Sequence, residues 1–234
     1  SRSEFPKQFH SLEGTNTLLQ DTLKRFEGIG SLANPVVICN TEHRFIVAEQ
    51  LKEIGYPDAT LILEPFGKNT AAAIAAASVH VKKTYSEKSI MVVLSSDHHI
   101  SDLEEFKKSL SVGKEASEDY GLILLGSSPS NSDNRYGFIK VGEEIESNKF
   151  FHVASFKEKP SKKESQIYSN DESYLWNCGM FIFITKNIVD QMEVHTPDTF
   201  AFTQAAYEEA KIDGSFIKLS EEYFQKITPS PIDK

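Results

Sequence analysis

Cysteine, long apolar runs and basic charge are all scarce in this 234-residue sequence, and each scarcity excludes a class of protein. The two cysteines, Cys39 and Cys178, lie far apart and match no metal-binding or redox spacing. No apolar stretch approaches the roughly 20 residues that a membrane-spanning helix needs. The first residues, Ser1 to Glu4, carry no signal-peptide pattern. We therefore expect reduced thiols, a cytoplasmic location and no membrane partner.

Acidic residues outnumber basic ones, with 34 Asp and Glu against 25 Lys and Arg and a formal net charge of −9. This balance disfavours a protein that coats nucleic acid, so no nucleic-acid partner is expected. A small anionic substrate is still compatible, because it needs only a few well-placed lysines. Hydrophobic residues make up 39% and charged residues 25%, which is ordinary for a folded domain.

The first half of the sequence alternates amphipathic segments with short apolar runs. Helices are predicted at 16–26, 41–54, 71–83 and 101–116, and strands at 36–39, 61–63 and 90–94. Thr17 with Gln20 is a capping box for the first helix. Asn69 is a good N-cap for the alanine-rich helix at 71–83, whose start would present free N–H groups to an anion or a base edge. Such alternation is typical of parallel strands joined by helical crossovers. The run of five apolar residues at 90–94 predicts a strand that is covered on both faces.

The second half has a different pattern, which predicts antiparallel pairs added to the parallel sheet. Strands are predicted at 122–125, 138–141, 151–156 and 180–184, of which the middle two form a hairpin. A capping box, Ser161 with Glu164, predicts a further helix. The whole pattern predicts an α/β fold with a mixed, mostly parallel sheet flanked by helices.

Asp97 follows the apolar run at 90–94, where the polarity of the sequence changes abruptly. In open α/β sheets the ligand binds outside the carboxyl ends of the strands, so this position suits a functional carboxylate. The alternative is that Asp97 only caps the turn into the next helix. His98 and His99 are interpreted as turn residues, because the histidines show no zinc-binding spacing. No dinucleotide-binding glycine motif occurs either.

Two further stretches combine polar groups with the end or the start of a strand. Phe156 to Pro160 carries two lysines and a glutamate, and its alternative interpretation is a solvated charge cluster. Trp176 to Phe181 places Asn177 and Gly179 before a buried strand, in a predicted tight turn whose amide and N–H groups could hydrogen-bond sugar hydroxyls. The alternative there is an ordinary Asn-containing β-turn.

Taken together, these stretches resemble the mannose-1-phosphate guanylyltransferases, and in particular the long bacterial type that is often fused to a phosphomannose isomerase. The resemblance covers almost the whole chain, in family order. The matching stretches are Pro6–Phe9, Cys39–Leu51, Glu64–Ala71 apart from Phe66, Asp97–His98, Tyr136–Ile139, Glu158–Pro160 and Trp176–Phe181 apart from Cys178.

The resemblance implies a Rossmann-like nucleotidyltransferase fold and the formation of GDP-mannose and pyrophosphate from GTP and mannose 1-phosphate. By similarity, Asp97 would bind Mg²⁺ as the cofactor, Lys7 would neutralise the triphosphate and Lys159 the sugar phosphate. Asn69 and Thr70, at the start of the alanine-rich helix, would face the base. The residues that would frame the mannose are Tyr136, Gly137, Glu158, Asn177 and Gly179. A homodimer is compatible with this interpretation.

The sequence also departs from the family pattern. Lys68 stands where the family usually has Arg, Ala72 or Ala73 replaces a usual Pro, and Ser95 and Ser96 replace Pro-Ala. The family's glycine-rich phosphate loop and first strand would precede residue 1, and a second metal-binding aspartate would follow residue 234. We therefore expect residues 1–234 to be one catalytic domain that is incomplete at both ends, inactive and poorly stable alone.

Two other functions stay open on the sequence alone. The chain could come from a nucleotidyltransferase that uses another nucleotide or sugar 1-phosphate, because pocket residues differ subtly among these enzymes. It could also come from a non-catalytic relative that binds a sugar nucleotide as a sensor or regulatory subunit.

Overall fold

The computed structural model describes residues 6–11, 14–146 and 150–233. Within these residues the chain divides into two compact units. Unit 1 takes in the described residues of Ser1–Ser89, Ser95–Leu103 and Thr185–Lys234, and unit 2 those of Ile90–Leu94 and Glu104–Ile184.

Helices and strands follow the predicted order closely. The α-helices are α1 (Leu18–Lys24), α2 (Arg44–Glu53), α3 (Asn69–Thr84), α4 (Leu103–Tyr120), α5 (Lys162–Ser169), α6 (Thr185–His195), α7 (Pro197–Glu208) and α8 (Glu221–Phe224). The strands are β1 (Val36–Asn40), β2 (Thr60–Glu64), β3 (Ile90–Val93), β4 (Ile123–Ser127), β5 (Phe138–Glu146), β6 (Phe150–Lys157), β7 (Tyr174–Ile184), β8 (Lys211–Asp213) and β9 (Phe216–Lys218). Two 3-10 turns lie at Lys7–Phe9 and Thr41–His43. None of the described helices combines the length and apolarity needed to cross a membrane.

The sheet of unit 1 has the strand order β1-β2-β9-β8. β1 and β2 run parallel, as predicted, and pair from Val36↔Thr60 to Asn40↔Glu64. β9 is also parallel to β2, while β8 and β9 form an antiparallel hairpin. The sequence did not predict this hairpin, because each of its strands has only three residues and shows no alternation.

β2 is the strand that is covered on both faces. Its Ile62 packs in one apolar cluster with Ala72 and Ala76 of α3, and its Leu61 and Leu63 pack in a second cluster. The two clusters lie on opposite faces, since side chains alternate along a strand. The prediction of a doubly covered strand at 90–94 is therefore wrong in detail, because only Met91 of β3 is buried. Ala72 and Ala76 are completely buried, which confirms that the alanine-rich helix packs tightly in the core of unit 1.

The sheet of unit 2 is antiparallel throughout its described pairs. Its order is β3-β7-β5-β6, with β4 also paired to β7, so the eleven-residue β7 joins three strands. The predicted hairpin is confirmed as β5 and β6. β3 pairs antiparallel with β7, from Ile90↔Ile184 to Val93↔Phe181, rather than with β1 or β2 by a parallel crossover. Alternation along the chain predicts the order of elements, but it does not fix which strands become neighbours.

Local capping signals in the sequence are largely confirmed. The capping boxes of α1 (Thr17 with Gln20) and α5 (Ser161 with Glu164) are both formed. Asn69 was predicted to cap α3 from outside, but it is the first residue of that helix. It has a left-handed φ of 68°, and its side-chain oxygen accepts a hydrogen bond from the Thr70 N–H at 2.8 Å. The structure thus has an α/β architecture with both parallel and antiparallel strand pairs.

Candidate active site

Asp97 and Lys7 form an ion pair in unit 1, although they lie 90 positions apart in the sequence. The Lys7 Nζ is 2.6 Å from the Asp97 Oδ2, and the Ser95 hydroxyl donates a hydrogen bond to Oδ1 of the same carboxylate. Burial raises the pKa of Asp97, but the hydrogen bonds from Lys7 and Ser95 outweigh it and lower the pKa below its ordinary value. Asp97 is therefore ionised at neutral pH. Asp97 lies in a turn, as the alternative interpretation required, but its carboxylate also forms an ion pair with Lys7.

His98 lies beside this pair without forming a close ion pair. Its Nε2 is 3.8 Å from Asp97 Oδ1. Burial lowers the pKa of His98, and the positive charges of Lys7 and Arg25 lower it further, while Asp97 acts in the opposite direction. Because the net effect is a lowered pKa, His98 is neutral at pH 7. Lys7 is then the cation that faces Asp97 most closely.

A cation at Asp97 would receive few ligands from the protein. In the parts of the chain that the structure describes, no three His, Cys, Asp or Glu side chains come together as a metal site. A single ionised carboxylate nevertheless suits Mg²⁺, which is often bound by one or two carboxylates together with water and phosphate oxygens. Asp97 fits such a role, provided that a phosphorylated substrate supplies the other ligands.

The predicted base-binding residues, Asn69 and Thr70, lie together and exposed at the start of α3. The sequence predicted free N–H groups at this helix end, but the structure shows that two of them have partners. The Thr70 N–H donates to the Asn69 side chain, and the Ala71 N–H donates to the Ser230 carbonyl at 3.1 Å. The Thr70 hydroxyl oxygen also accepts from the Ile232 N–H at 2.9 Å. What stays available for a ligand is therefore mainly the Asn69 amide and the Thr70 hydroxyl proton.

Lys68 has a partner of its own in the C-terminal part of unit 1. Its Nζ donates to the carbonyls of Gln225 at 2.9 Å and Ile227 at 2.6 Å, and it lies 5.3 Å from the centre of the Phe66 ring. The substitution of Lys for the family's Arg thus keeps a cation that ties the β2–α3 junction to the segment after α8.

Glu64 is a further candidate residue, which in the sequence belongs to the matching stretch Glu64–Ala71 and carries no other signal. It is the last residue of β2, at the carboxyl end of a parallel pair, where ligands bind in open α/β sheets. Its Oε1 is buried and has no hydrogen-bond partner among the described residues. Burial raises the pKa of Glu64 to about 7, and burial together with Glu64 raises the pKa of the Cys39 thiol to about 12. A buried acceptor without a donor is costly, so Glu64 is poised to receive one.

The residues predicted to frame the sugar converge in unit 2. Gly137 precedes β5, Glu158 follows β6, and Asn177 lies in β7. Pairing of Phe138 with both Lys157 and Trp176 brings these three places together. The Asn177 N–H donates to the Gly137 carbonyl at 2.8 Å, and a Cβ on Gly137 would lie only 2.9 Å from Glu158 Oε2. Gly137 therefore leaves the space that the Glu158 carboxylate occupies.

Lys159 and Gly179 belong to the same cluster. Lys159 Nζ is 3.3 Å from Glu158 Oε1 and its side chain is largely exposed. Asn177 and Gly179 were predicted to form a tight turn before a strand, but both lie inside β7. The predicted turn survives as a local irregularity, because the Gly179 N–H donates to the Asn177 side chain at 2.9 Å and Gly179 has a φ of 59°.

Tyr136 is directed away from this cluster. Its ring packs on Trp176, with the ring centres 5.0 Å apart. Trp176 and Asn177 are neighbours in β7, so their side chains point to opposite faces. The structure therefore groups Gly137, Glu158, Lys159, Asn177 and Gly179, and it places the Tyr136 ring beside Trp176 on the other face.

Comparisons with known proteins agree with this architecture. The sequence profile of the nucleotidyl transferase family matches residues 1–222. A curated mannose-1-phosphate guanylyltransferase from Salmonella montevideo is 36% identical over 238 residues, covering 100% of this chain and 50% of the relative. The chain spans about half the length of the curated relatives that it matches.

Two solved structures have the same fold. One, described as mannose-6-phosphate isomerase from Helicobacter pylori, gives a TM-score of 0.85 at 27% identity and covers 99% of this chain and 88% of that chain. The other, described as mannose-1-phosphate geranyltransferase from Thermus thermophilus, gives a TM-score of 0.83 at 26% identity and covers 100% of this chain and 64% of that chain. With a family profile that matches nearly all of the sequence, the chain belongs to the nucleotidyl transferase family.

Proposed function

We propose that the full-length protein transfers a guanylyl group from GTP to mannose 1-phosphate, and that this chain carries several of the residues that take part in the transfer. The observation that carries the proposal is the ionised Asp97 carboxylate held opposite Lys7 after a strand. Curated relatives named mannose-1-phosphate guanylyltransferase support the choice of substrates.

In the proposed reaction, a phosphate oxygen of mannose 1-phosphate attacks the α-phosphorus of GTP in line. The new bond joins that oxygen to the α-phosphorus, and the bond from the α-phosphorus to the bridging oxygen breaks, releasing pyrophosphate. Such a transfer depends on alignment and on neutralisation of charge more than on covalent help from the protein. Lys7 would pair with the triphosphate, and Asp97 would hold Mg²⁺. When bound, Mg²⁺ would supply further charge neutralisation.

Glu64 would supply base specificity in this scheme. The N1–H and amino group of guanine are two neighbouring donors, and a buried carboxylate with an unpartnered oxygen is a complementary acceptor. Asn69 and Thr70 would add further polar contacts from the start of α3. A pyrimidine nucleotide offers Glu64 fewer donors, which favours GTP over UTP or dTTP.

The cluster in unit 2 would bind the sugar 1-phosphate. Glu158 and Asn177 provide acceptors and donors for sugar hydroxyls, and the exposed Lys159 ammonium would pair with the phosphate. Gly179 would allow close approach of the sugar to the backbone, and Gly137 would leave room for the Glu158 carboxylate beside the sugar. The Tyr136 ring, which lies against Trp176, would support this cluster from the other face of the strand.

We also propose that the protein acts in GDP-mannose biosynthesis in the cytoplasm, for polysaccharide synthesis. Two free cysteines support a reducing compartment, and the excess of acidic residues argues against a nucleic-acid partner. The proposal includes a homodimer as the assembly of the full-length protein.

Release of pyrophosphate across a panel of nucleotides and sugar 1-phosphates tests the proposal. GTP with mannose 1-phosphate should give the highest kcat/KM. A clear preference for UTP or dTTP with glucose 1-phosphate would assign the protein to another sugar nucleotidyltransferase. Binding of GDP-mannose without turnover on any pair would instead favour a non-catalytic sensor or regulatory subunit.

A further inference from the structure

Arg25, at the C-terminal end of α1, is a buried cation in unit 1 that the proposed reaction does not yet use. It is only 3% exposed, and burial lowers the pKa of its guanidinium, although Asp21 acts in the opposite direction. Arginine keeps its charge in proteins, so this site holds a permanent buried cation. Burying a charge is unfavourable unless it makes compensating contacts.

One of those contacts reaches the loop that carries Asp97. The Nη2 of Arg25 donates a hydrogen bond to the backbone carbonyl of His98, the residue directly after Asp97. The other terminal nitrogen, Nη1, is buried without a hydrogen-bond partner among the described residues. The hydrogen bond to the His98 carbonyl therefore orients the guanidinium, while Nη1 has no partner among the described residues.

The helix that presents Arg25 is firmly attached to α2. Gln20 donates to the Gln50 carbonyl at 3.1 Å and to the Glu53 carboxylate at 2.7 Å, and Thr17 donates to the Gln50 side chain at 2.8 Å. Leu18 and Leu19 of the same helix are buried. α1 therefore offers a fixed point from which Arg25 can hold a loop.

We propose that Arg25 is a positioning residue, which fixes the Ser95–Ile100 loop through the His98 carbonyl and so holds Asp97 opposite Lys7. The inference rests on the proposed function, in which Asp97 acts at the reacting phosphates.

Arg25→Met tests the proposal, because it keeps an apolar side chain of similar length and removes the donors. The kcat for GDP-mannose formation should fall roughly 100-fold, as expected when a catalytic group is misplaced by about 1 Å. The KM for mannose 1-phosphate should change much less. Lys24→Met is the matched control, since it removes the neighbouring basic side chain of the same helix without removing the contact to His98; it should keep most of the kcat.

A second readout needs no activity. With ¹⁵N-labelled histidine, the backbone order parameter of His98 should be about 0.85 in the unmodified protein and below about 0.6 in Arg25→Met. An unchanged order parameter, or an equal loss of kcat in Lys24→Met, would overturn the role of Arg25. If Arg25→Met does not fold, the same criteria apply to Arg25→Lys, which keeps the charge but loses the planar pair of donors. A rigid His98 that loosens in a protein with no transferase activity would support the positioning role while refuting the proposed function.

Discussion

At the scale of single residues, two carboxylates of unit 1 have opposite electrostatic surroundings. Asp97 has Lys7 and Ser95 as donors, which outweigh burial and lower its pKa. Glu64 is buried with an unpartnered oxygen, and its pKa rises to about 7. The ionised Asp97 carboxylate can bind a cation beside phosphate groups, whereas the Glu64 carboxyl, with its raised pKa and unpartnered oxygen, can accept a hydrogen bond from a ligand. The environment, more than the residue type, separates the two proposed roles.

Asp97→Asn should abolish most of the turnover and leave the fold intact. An amide cannot replace a carboxylate toward Mg²⁺ and Lys7, so kcat should fall roughly 10²–10³-fold, a typical loss for an electrostatic group. The Tm should change little, because the lost ion pair involves the exposed side chain of Lys7. Steady-state kinetics and thermal unfolding measure both effects. Asp119→Asn, at an exposed position of α4, is the control. A near-normal kcat in Asp97→Asn would show that Asp97 only caps a turn.

Glu64→Gln should change how stability depends on pH. Because the pKa of Glu64 rises from 4.5 to about 7 on folding, protonation of Glu64 stabilises the folded protein relative to the unfolded one. This contribution is fully present below pH 4.5 and is lost as the pH rises through 7. The glutamine variant should therefore be more stable than the unmodified protein at pH 8, by about 2–4 kcal/mol, and about equally stable at pH 4.5. Denaturant unfolding at the two pH values measures the difference.

The same substitution should alter nucleotide binding. Ionised Glu64 is the better acceptor for guanine, so the affinity for GTP should rise between pH 6 and pH 8 more steeply in the unmodified protein than in Glu64→Gln. The GTP phosphates titrate in the same way in both experiments, so the difference between the pH dependences of the two proteins is due to Glu64. Glu49→Gln, an exposed change on α2, should behave like the unmodified protein. For the stability prediction, the contradicting result is a difference in unfolding free energy between Glu64→Gln and the unmodified protein that is the same at pH 4.5 and pH 8. Such a result would show that the pKa of Glu64 is not raised by burial.

At the scale of elements, the proposed sugar-binding cluster of Gly137, Glu158, Lys159, Asn177 and Gly179 depends on the pairing of β5 with both β6 and β7. These strands leave little room at Gly137, since an added Cβ would meet Glu158 Oε2 and the Phe156 ring, each at 2.9 Å. Gly137 needs no left-handed conformation, so its requirement is space alone. This feature makes the cluster testable without removing any of its polar groups.

Gly137→Ala should displace the Glu158 carboxylate and weaken binding of the sugar 1-phosphate. We expect KM for mannose 1-phosphate to rise about tenfold, while KM for GTP changes little, since GTP binding is assigned to residues of unit 1. Overpacking also typically costs about 1–3 kcal/mol of stability. Gly30→Ala, where an added Cβ meets nothing within 4 Å, is the control. An unchanged KM for mannose 1-phosphate would remove Glu158 and Gly137 from the sugar site.

The start of α3 illustrates how an element can differ from its sequence pattern. The pattern predicted a helix end that offers N–H groups to a ligand. In the structure, Ser230 and Ile232 provide partners for Ala71 and Thr70, and Lys68 binds carbonyls of Gln225 and Ile227. Contacts from residues about 160 positions away leave no local signal in the sequence. Tertiary contacts of this kind are the main reason that the predicted role of this helix end needs revision.

At the scale of the whole molecule, the sequence predicted most elements and their order but not all neighbours. The capping boxes of α1 and α5 and the β5–β6 hairpin are encoded locally, and they are found in the structure. The antiparallel pairing of β3 with β7 joins residues about 90 positions apart, which no local pattern specifies. Asp97 was singled out by its position after an apolar run and Lys7 by the resemblance, and the structure shows that they form an ion pair. The roles proposed for Arg25 and Glu64 depend on the burial of their side chains, which the sequence pattern does not predict.

The central claim is that the protein transfers the guanylyl group of GTP, with its α-phosphate, to mannose 1-phosphate. The most direct measurement follows radioactive label from two forms of GTP, one labelled at the α-phosphate and one at the γ-phosphate, with Asp97→Asn as the inactive control. We predict that α-label appears in GDP-mannose and that γ-label appears only in pyrophosphate. γ-label in a phosphorylated sugar, or no transfer of α-label at any Mg²⁺ concentration, would contradict the claim.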